Sequence, residues 1–346
     1  MKYLVSLLAA LLLAACSAPV PRQVEAVKPP PPVFSHDIEG SNTPWTHERF
    51  DDEPGKFTFA LFSDLTGGER DGVFAVAVEQ LRWLRPELIV NVGDLIEGGT
   101  RDRDQLDREW SSFDRRAQRA RAPVFYTGGN HDLTNPVMWE VWEERLGRRY
   151  YHFIYKNTLF LVLDTEDNPA DLQRELSDIR DRSMEVVAQQ GWGAFMDTEY
   201  GRNTERASGR VGKEQAAYFR RVITANPDVR HTFILMHKPA WERPDEENFS
   251  TVEAALAGRP YTVFYGHVHS YLHEVRHGND YIRLGTTGGV LNPAKEMAID
   301  HVTLVTVSGS GVDIANLRLS GIFGKDGRLP LDGEELCFDS QTCAHP

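Results

Sequence analysis

The sequence lacks a basic patch, a long apolar run and an internal repeat. Its formal net charge of −13 would repel nucleic-acid polymers, and no cluster of Lys and Arg offsets that charge. Polymeric nucleic acid is therefore not expected as a partner. The apolar run at residues 4–15 is too short to span a bilayer as a helix. With 346 residues, 41% of them hydrophobic, the chain is predicted to form one large globular domain.

Residues 1–15 have the features of a signal peptide, because a lysine precedes the apolar run. The run ends in Leu13-Ala14-Ala15-Cys16, which resembles the lipobox of bacterial lipoproteins, where cleavage precedes a cysteine that carries the lipid. The alternative is an ordinary secretory signal in which Cys16 is incidental. The resemblance implies membrane attachment through Cys16. Ser17, at the position after the cysteine, resembles the residue of lipoproteins that are sorted to the bacterial outer membrane. This resemblance implies that the protein is located on the periplasmic face of that membrane.

Residues 16–45 are predicted to form a tether, because their prolines, including Pro29 to Pro32, favour extended polyproline conformations. The folded domain is predicted at residues 46–325, and a C-terminal tail at residues 326–346. The tail holds Cys337 and Cys343, which are the only cysteines of the sequence besides Cys16. An exported location would allow them to form a disulfide, and two free thiols are the alternative.

From Lys56 onward, short apolar runs alternate with segments of helical period, which is the pattern of an α/β domain. Five of these runs are predicted strands that end directly before a polar cluster. They are KFTFALFS before Asp64, ELIVNV before Gly93-Asp94, APVFYT before Gly129-Asn130-His131-Asp132, HTFILM before His237, and YTVFY before Gly266-His267-Val268-His269. Since loops at strand ends hold the ligands of α/β sheets, the clusters are expected to converge on one edge.

Other segments are assigned from their patterns. Apolar residues at three- and four-residue steps predict helices at residues 73–84 and 213–224. Residues 166–210 are polar and weakly patterned, so they are predicted to be an insertion that forms a lid or rim over the site. The alternating runs YLHEVRH, YIRLGTT and HVTLVTV, which follow His269, predict a second, mostly antiparallel sheet.

The polar clusters supply the ligand types of a two-metal hydrolytic centre. Such a centre needs a carboxylate that bridges two ions roughly 4 Å apart, with imidazoles and amide oxygens completing each coordination sphere. Carboxylate, amide and imidazole ligands suited to zinc, iron or manganese are offered by Asp64, Asp94, Asn130, His237, His267 and His269. On an extended backbone, His267 and His269 would point the same way, so that each could reach a different ion.

Taken singly, each residue has an ordinary structural explanation as a turn residue, a helix cap or a core histidine. The ordered set, however, resembles the motifs of the calcineurin-like metallophosphoesterase superfamily, namely DxH, GDxx(D/E/N), GNH(D/E), a lone His and GHxH. They occur here as Asp64-Leu65-Thr66, Gly93-Asp94-Leu95-Ile96-Glu97, Gly129-Asn130-His131-Asp132, His237 and Gly266-His267-Val268-His269. The resemblance spans residues 57 to about 290 and implies an α/β fold, a single-domain four-layer α/β/β/α sandwich.

The resemblance also implies a role for each matched residue. The first metal would be bound by Asp64 and His269, Asp94 would bridge, and the second metal would be bound by Asn130, His237 and His267. His131 would be the acid that protonates the leaving group, since an imidazole titrates in the required range. The implied activity is hydrolysis of phosphomono- or phosphodiesters by attack of metal-bound hydroxide. It needs two divalent ions, from Mn, Fe, Mg or Zn, and a small phosphate-ester substrate.

The first motif departs from the family pattern, because Thr66 stands where the family has a metal-binding His. Purple acid phosphatases, a branch of the superfamily, also lack this His and use a Tyr at the position that Glu97 occupies here. We predict that Glu97 helps to hold the first metal, directly or through water, which would favour Mn, Mg or Fe over Zn. A solvated loop acid is the alternative. Arg70, in the loop after Thr66, is either a ligand of the substrate phosphate or an ordinary surface arginine.

The sequence therefore predicts a lipid-anchored, metal-dependent phosphoesterase of the bacterial cell envelope. The alternative is a non-catalytic, metal- or phosphate-binding envelope lipoprotein that has lost its first metal site. His131 favours the enzyme, because a binding module has no use for a leaving-group acid. The motifs do not define the substrate, since the leaving group is recognised by loops such as residues 166–210.

Overall fold

The computed structural model of the chain describes residue 53 and residues 55–292, 294–331, 333, 336 and 338. The predicted signal peptide at residues 1–15, the tether at residues 16–45 with Cys16, and the pair Cys337 and Cys343 lie outside the described residues. Among the helices of the described part, none combines the length and the apolar character of a membrane span.

Two β-sheets form the centre of the fold. The strands within the described residues are β1 (Phe57–Phe62), β2 (Leu88–Asn91), β3 (Val124–Phe125), β4 (Tyr151–Tyr155), β5 (Thr158–Val162), β6 (His231–Leu235), β7 (Tyr261–Tyr265), β8 (Leu272–Arg276), β9 (Asn279–Arg283), β10 (His301–Ser308) and β11 (Gly311–Arg318). The first sheet has the strand order β11-β10-β1-β2-β3, and the second has the order β4-β5-β6-β7-β9-β8.

The α-helices of the described residues are α1 (Val73–Leu84), α2 (Arg103–Ala117), α3 (Pro136–Leu146), α4 (Ala170–Gln190), α5 (Thr204–Ala207), α6 (Lys213–Ala225) and α7 (Asn248–Ala255). Helices α1, α2 and α3 cover the outer face of the first sheet, and α6 and α7 cover that of the second. The predicted helices at residues 73–84 and 213–224 correspond to α1 and α6. The apolar stripe of α1 is buried against the first sheet, as its three- and four-residue spacing requires.

Three apolar cores separate four layers. Between the sheets, the ring of Phe59 packs edge-on against Phe160 and Phe233, with centroids 5.2 and 4.9 Å apart. Helices α1, α2 and α3 enclose a second core on the first sheet, and α6 and α7 enclose a third on the second sheet. Strand β1 serves two cores, because its alternate side chains point to opposite faces. The α/β/β/α single-domain sandwich predicted from the sequence is confirmed.

The strands predicted before the polar clusters are β1, β2, β3, β6 and β7, but their ends do not share one sheet edge. The first three belong to one sheet and the last two to the other. Within each sheet these strands pair in parallel. Parallel neighbours end on the same side, so the expected single edge is replaced by two facing edges.

The predicted second, antiparallel sheet is wrong in its grouping. β8 and β9 form an antiparallel hairpin, but β9 also pairs in parallel with β7 and so extends the second sheet. β10 instead crosses to the first sheet, where it pairs with β1 and β11. Alternation identified the strands, whereas their partners depend on contacts between distant segments.

The insertion at residues 166–210 is largely helical. Helix α4 buries Gln173, Leu176, Ser177, Ile179, Ser183 and Val187. Polar residues occupy three of these six positions, which weakens the apolar period and explains why the sequence pattern does not reveal a helix. The Gln173 amide donates to the carbonyls of Leu133 at 3.1 Å and Thr134 at 2.7 Å, which places the start of α4 beside the loop after β3.

Candidate metal centre

Four of the predicted ligands lie just after strands in left-handed backbone conformations. The φ angles are +44° at Asp64, +58° at Asp94, +73° at His267 and +56° at His269. Such angles are uncommon for residues other than glycine, and they concentrate at functional sites where the surrounding structure enforces them. The backbone is therefore an indication of a functional site that does not depend on the motifs.

A threonine- and glycine-containing loop holds the backbone of Asp64 in place. The Thr286 hydroxyl donates to the Asp64 carbonyl at 2.8 Å, and the Gly289 N–H donates to the same oxygen at 2.9 Å. The Thr287 N–H donates to the Ser63 carbonyl at 2.7 Å. The sequence pattern indicates only a strand at this segment, because the contact joins residues more than 200 positions apart.

The ligand atoms form two groups that share one carboxylate. Asp94, His237 and His267 form the first group, and Asp64, Asp94 and His269 form the second, with the ligand atoms of each group within 4.8 Å of one another. The Asn130 side-chain oxygen lies 3.1 Å from Nε2 of His237 and so adjoins the first group. The structure brings all six predicted ligands together, with Asp94 in the position that a bridging carboxylate requires.

His267 and His269 fall into different groups, but not for the reason expected. β7 ends at Tyr265, and both histidines follow it in left-handed conformations rather than on an extended backbone. The His267 N–H donates to Oδ1 of Asp64 at 2.9 Å. The bent chain, fixed by this hydrogen bond, separates the two imidazoles.

Main-chain carbonyls orient two of the imidazoles. Nδ1 of His237 lies 2.8 Å from the Val92 carbonyl, and Nδ1 of His269 lies 2.7 Å from the Val290 carbonyl. A carbonyl can only accept, so each Nδ1 carries the hydrogen and leaves Nε2 to face the centre. These Nε2 atoms lie 3.1 Å from Oδ2 of Asp94 and 3.3 Å from Oδ1 of Asp64.

The electrostatics of the centre require positive charge. The side chains of Asp64 and Asp94 are 0% and 2% exposed, and their oxygens face imidazole nitrogens that would otherwise be acceptors. Burial disfavours the charged form of His237, yet the negative charge of Asp94 outweighs it and raises the pKa of His237 to about 9. Burial likewise disfavours ionised Asp94, but His237 and His131 hold the pKa of Asp94 below its usual value. Buried oxygen and nitrogen donors arranged in this way fit divalent metal ions.

Thr66 and Glu97 belong to neither ligand group. The Thr66 hydroxyl donates to the Ile96 carbonyl at 2.8 Å. Oε1 of Glu97 accepts the N–H groups of Gly68 at 2.9 Å and Glu69 at 2.7 Å. Oε1 of Glu97 thus fastens the glycine loop after β1, and the Glu97 carboxylate lies outside both ligand groups. A contact between Glu97 and the first metal through water stays a prediction.

Arg70 also has a partner within the protein. Its guanidinium donates to Oδ1 of Asp300 at 2.6 Å and to the Gly289 carbonyl at 3.0 Å. The Asp300 side chain is fully buried, so Arg70 supplies the countercharge that a buried carboxylate needs. These contacts show that Arg70 supports the loop around Gly289. A contact with the substrate phosphate, one of its two predicted roles, stays a prediction.

His131 lies at the same centre with one ring nitrogen available. Its Nδ1 lies 2.8 Å from the Glu97 carbonyl and therefore donates to it. A Cβ placed on Gly67 would lie 3.4 Å from Nε2 of His131 and 3.2 Å from Cε1 of His269. Gly67 thus lies between the two rings, and Nε2 of His131 faces the space next to the ligand group of His269.

Asp132 is an important residue to which the sequence analysis gave no role. Its buried carboxylate accepts the N–H groups of Gly129 and Asp94 at 2.8 Å, of Leu95 at 2.9 Å and of Ile96 at 3.1 Å. It thereby joins the loop after β2 to the loop after β3. The GNHD motif contained Asp132, so its place in that motif was the signal that could have identified it.

Comparisons with known proteins are consistent with this fold. The sequence model of the calcineurin-like phosphoesterase family matches residues 57–271. A purple acid phosphatase from yellow lupin (Lupinus luteus) aligns with a TM-score of 0.50 and 13% identity, covering 80% of this chain and 53% of that one. PhoD aligns with a TM-score of 0.50 and 12% identity, covering 77% of this chain and 70% of that one.

A dimetal phosphatase from Danio rerio aligns with a TM-score of 0.49 and 16% identity, covering 76% of this chain and 99% of that one. No curated protein sequence matches the chain. The two alignments with a TM-score of 0.50 bear on the fold alone. The family match at residues 57–271 covers more than half of the 346 residues and contains the β1, β2, β3, β6 and β7 loops that carry the ligand groups. The chain belongs to the calcineurin-like phosphoesterase family.

Proposed function

We propose that this protein is a metal-dependent phosphoesterase that hydrolyses phosphomono- or phosphodiesters. The observation that carries the proposal is the pair of ligand groups sharing Asp94, with Nε2 of His131 facing the space beside them. A metal-binding protein without catalytic activity needs the ligands but not the histidine. The family to which the chain belongs supports hydrolysis of phosphate esters.

The two metal positions differ in the chemistry of their ligands. Asp64, Asp94 and His269 would hold one ion, and Asp94, Asn130, His237 and His267 would hold the other. The first position has two carboxylates and one imidazole, a harder set that favours Mn, Mg or Fe, whereas the second has two imidazoles and also suits Zn. Bound ions would supply positive charge to the phosphoryl oxygens and lower the pKa of a water.

His131 is the residue that would supply a proton to the leaving group. Hydrolysis breaks the bond between phosphorus and the leaving oxygen, and that oxygen must gain a proton. The Glu97 carbonyl fixes the His131 ring through Nδ1, so a proton on Nε2 is directed into the centre. Transfer of that proton to the leaving oxygen returns a neutral ring in the same orientation.

Hydrolysis assays test the proposal directly. The purified chain is incubated with nitrophenyl monoesters and diesters in Mn²⁺, Zn²⁺, Mg²⁺ or a chelator, and nitrophenolate release is followed. We expect turnover that depends on added metal and is abolished by the chelator. Absence of turnover with every metal would instead support the non-catalytic, metal- or phosphate-binding alternative.

We also propose that the protein is anchored by a lipid on Cys16 to the periplasmic face of the bacterial outer membrane. The support is the Leu-Ala-Ala-Cys sequence after the apolar run and the proline-rich tether that follows it. Cys337 and Cys343 are proposed to be disulfide-bonded in that compartment. Substitution of Cys16 by serine is expected to move the chain from the membrane fraction to the soluble fraction.

A further inference from the structure

The loop that connects β9 to β10, residues 284–300, borders the metal centre and lies beyond the residues 57–271 that match the family. A Cβ placed on Gly289 would lie 2.7 Å from Cε1 of His269. The Val290 carbonyl accepts from Nδ1 of the same imidazole at 2.7 Å. The β9–β10 loop is therefore part of the wall of the site, and the family motifs assign no residue in it.

The β9–β10 loop reaches the centre a second time at Lys295. Nζ of Lys295 donates at 2.7 Å to the carbonyl of Val268, the residue between the ligands His267 and His269. This carbonyl belongs to the peptide bond that joins Val268 to His269, so the ammonium lies one hydrogen bond from the backbone of a ligand. Since an ammonium has three N–H donors, two remain for another partner.

Hydrogen bonds fix the backbone on both sides of Lys295. The Lys295 N–H donates to the Asn292 carbonyl at 3.0 Å, and the Ala294 N–H donates to Oδ1 of Asn292 at 3.0 Å. Further along the loop, the Met297 carbonyl accepts the N–H of Tyr271 at 2.9 Å. The base of the lysine side chain is thus fixed before a substrate arrives, which reduces the entropic cost of binding.

Two other basic residues beside the centre are already paired with acids. Arg70 pairs with the buried carboxylate of Asp300. Buried Lys238 pairs with Glu166 at 2.8 Å and donates to the Glu205 carbonyl at 2.9 Å. Neither residue can turn its charge towards a substrate without leaving a buried acid unpaired, which is costly.

Lys295 differs from both in its exposure and in its partner. The residue is exposed, and its ammonium donates to the neutral Val268 carbonyl. Among the described residues, no carboxylate lies within ion-pair distance of this ammonium. Because a carbonyl does not neutralise the charge, a full positive charge at the edge of the centre is accessible to an anion that enters from solvent. The flexible four-carbon stem of lysine allows the ammonium to adjust to that anion.

The two classes of phosphate ester would interact differently with such an ammonium. At neutral pH a phosphomonoester carries nearly two negative charges, because its second pKa is about 6, whereas a phosphodiester carries one. The dianion gains more from a nearby cation, and it is also the ester that the chain's net charge of −13 repels more strongly. In a diester, a second organic group replaces a charged oxygen. An ammonium facing that group would lose water without gaining a countercharge.

We propose that Lys295 is a specificity-determining residue that binds the phosphate group of the substrate and favours phosphomonoesters over phosphodiesters. This inference rests on the proposed phosphoesterase activity and narrows its substrate class to monoesters. In the reaction, water attacks phosphorus, the bond to the leaving oxygen breaks, the leaving oxygen gains a proton, and inorganic phosphate is the second product. Lys295 keeps its own proton throughout and acts only through its charge and its N–H donors.

The test compares p-nitrophenyl phosphate with methyl p-nitrophenyl phosphate, a monoester and a diester that have the same leaving group. Values of kcat/KM for both are measured in the wild-type chain, in Lys295→Gln and in Lys295→Arg. Intrinsic reactivity cancels when the monoester-to-diester ratio is compared between proteins. Loss of a charge-assisted hydrogen bond to the monoester alone should lower that ratio about tenfold in Lys295→Gln. Lys295→Arg keeps the charge and should retain most of the wild-type ratio.

A binding measurement tests the same contact without turnover. Inorganic phosphate and dimethyl phosphate, which stand for the monoester and the diester, are titrated by calorimetry into the metal-loaded wild-type chain and into Lys295→Gln. The affinity for inorganic phosphate should fall about tenfold in the variant, and the affinity for dimethyl phosphate should not change. Metal content, measured on the same samples, should equal that of the wild-type chain.

The control variant is Lys325→Gln, which removes an exposed lysine whose neighbour Gly324 lies against Trp83 of α1. It should leave the monoester-to-diester ratio unchanged. Equal losses on the two esters in Lys295→Gln, or a loss of metal with the ratio unchanged, would mean that Lys295 only holds the turn at Val268, and would overturn the specificity role while the phosphoesterase stands. No turnover of either ester by the wild-type chain with any metal would overturn the proposed function, and the specificity role with it.

Discussion

At the scale of single residues, the site depends on hydrogen bonds that fix which ring nitrogen is available. His131, His237 and His269 each donate Nδ1–H to a main-chain carbonyl, at 2.8, 2.8 and 2.7 Å. Main-chain partners do not change with the protonation of other side chains. Nε2 is therefore presented to the centre in every case, twice beside a carboxylate and once, at His131, beside Gly67.

The position of His131 predicts an effect that depends on the leaving group. In His131→Gln, kcat for phenyl phosphate should fall about 100-fold, because the poor leaving oxygen must be protonated as its bond breaks. The loss with p-nitrophenyl phosphate should be much smaller, since nitrophenolate leaves without a proton. Steady-state kinetics on both esters measure the difference. An equal loss on the two esters, with metal content intact, would contradict the role of proton donor.

The contacts of Glu97 predict which substitution matters. Glu97→Gln keeps an oxygen that can accept the N–H groups of Gly68 and Glu69, so it should retain the wild-type metal content. Glu97→Ala removes the acceptor and should lower activity by loosening the glycine loop. Metal analysis of both purified variants makes the comparison. Loss of one equivalent of metal from Glu97→Gln would restore Glu97 as a ligand, the role first inferred from its motif.

The residues that the sequence identified lie in local motifs, whereas those that it did not identify act through contacts with distant segments. Asp64, Asp94 and His237 adjoin strands that are apparent in the local pattern, and their motifs specify chemistry. Asp132 and Lys238 act through hydrogen bonds to other loops, which depend on how the sheets are placed. Local sequence contains no record of such contacts, so a buried lysine after His237 was not distinguishable from an exposed one.

At the scale of elements, Asp132 is the connection between two strand ends. Its two oxygens serve four N–H groups in the loops after β2 and β3. Asp132→Ala would leave these donors buried without an acceptor and should lower the free energy of unfolding by about 3–5 kcal/mol. Asp132→Asn keeps one oxygen, so its free energy of unfolding should lie between those of the wild-type protein and the alanine variant. Denaturant unfolding measures the order, and an alanine variant as stable as the asparagine variant would contradict it.

The elements themselves were predictable to the extent that their patterns are local. The strand β1 and the helix α1 follow directly from alternation and from three- and four-residue spacing. Alternation identifies β10 as a strand but does not indicate its sheet, because its pairing with β1 joins residues more than 240 positions apart. The pattern of α4 does not indicate a helix, because three of its six buried positions, Gln173, Ser177 and Ser183, are polar.

At the scale of the whole molecule, stability should depend on buried His301. This residue is 3% exposed, and its Nε2 accepts the Gly285 N–H at 2.8 Å, which requires a neutral ring. Burial, with a smaller contribution from Arg318, lowers the pKa of His301 to about 4, and the hydrogen bond with the Val302 backbone opposes this only partly. The native state therefore binds fewer protons than the unfolded state between pH 4 and the usual histidine value of about 6.5.

The sign of this difference gives a prediction for acid unfolding. A lowered native pKa contributes stability that is complete above about pH 6.5 and is lost as pH falls towards 4, which amounts to about 2 kcal/mol between pH 7 and pH 5. In His301→Gln the group no longer titrates, so the free energy of unfolding should decline less over this interval. Urea unfolding of both proteins at pH 5, 6 and 7 measures the slopes. Because every other titrating group is shared, parallel slopes would mean that folding does not lower the pKa of His301.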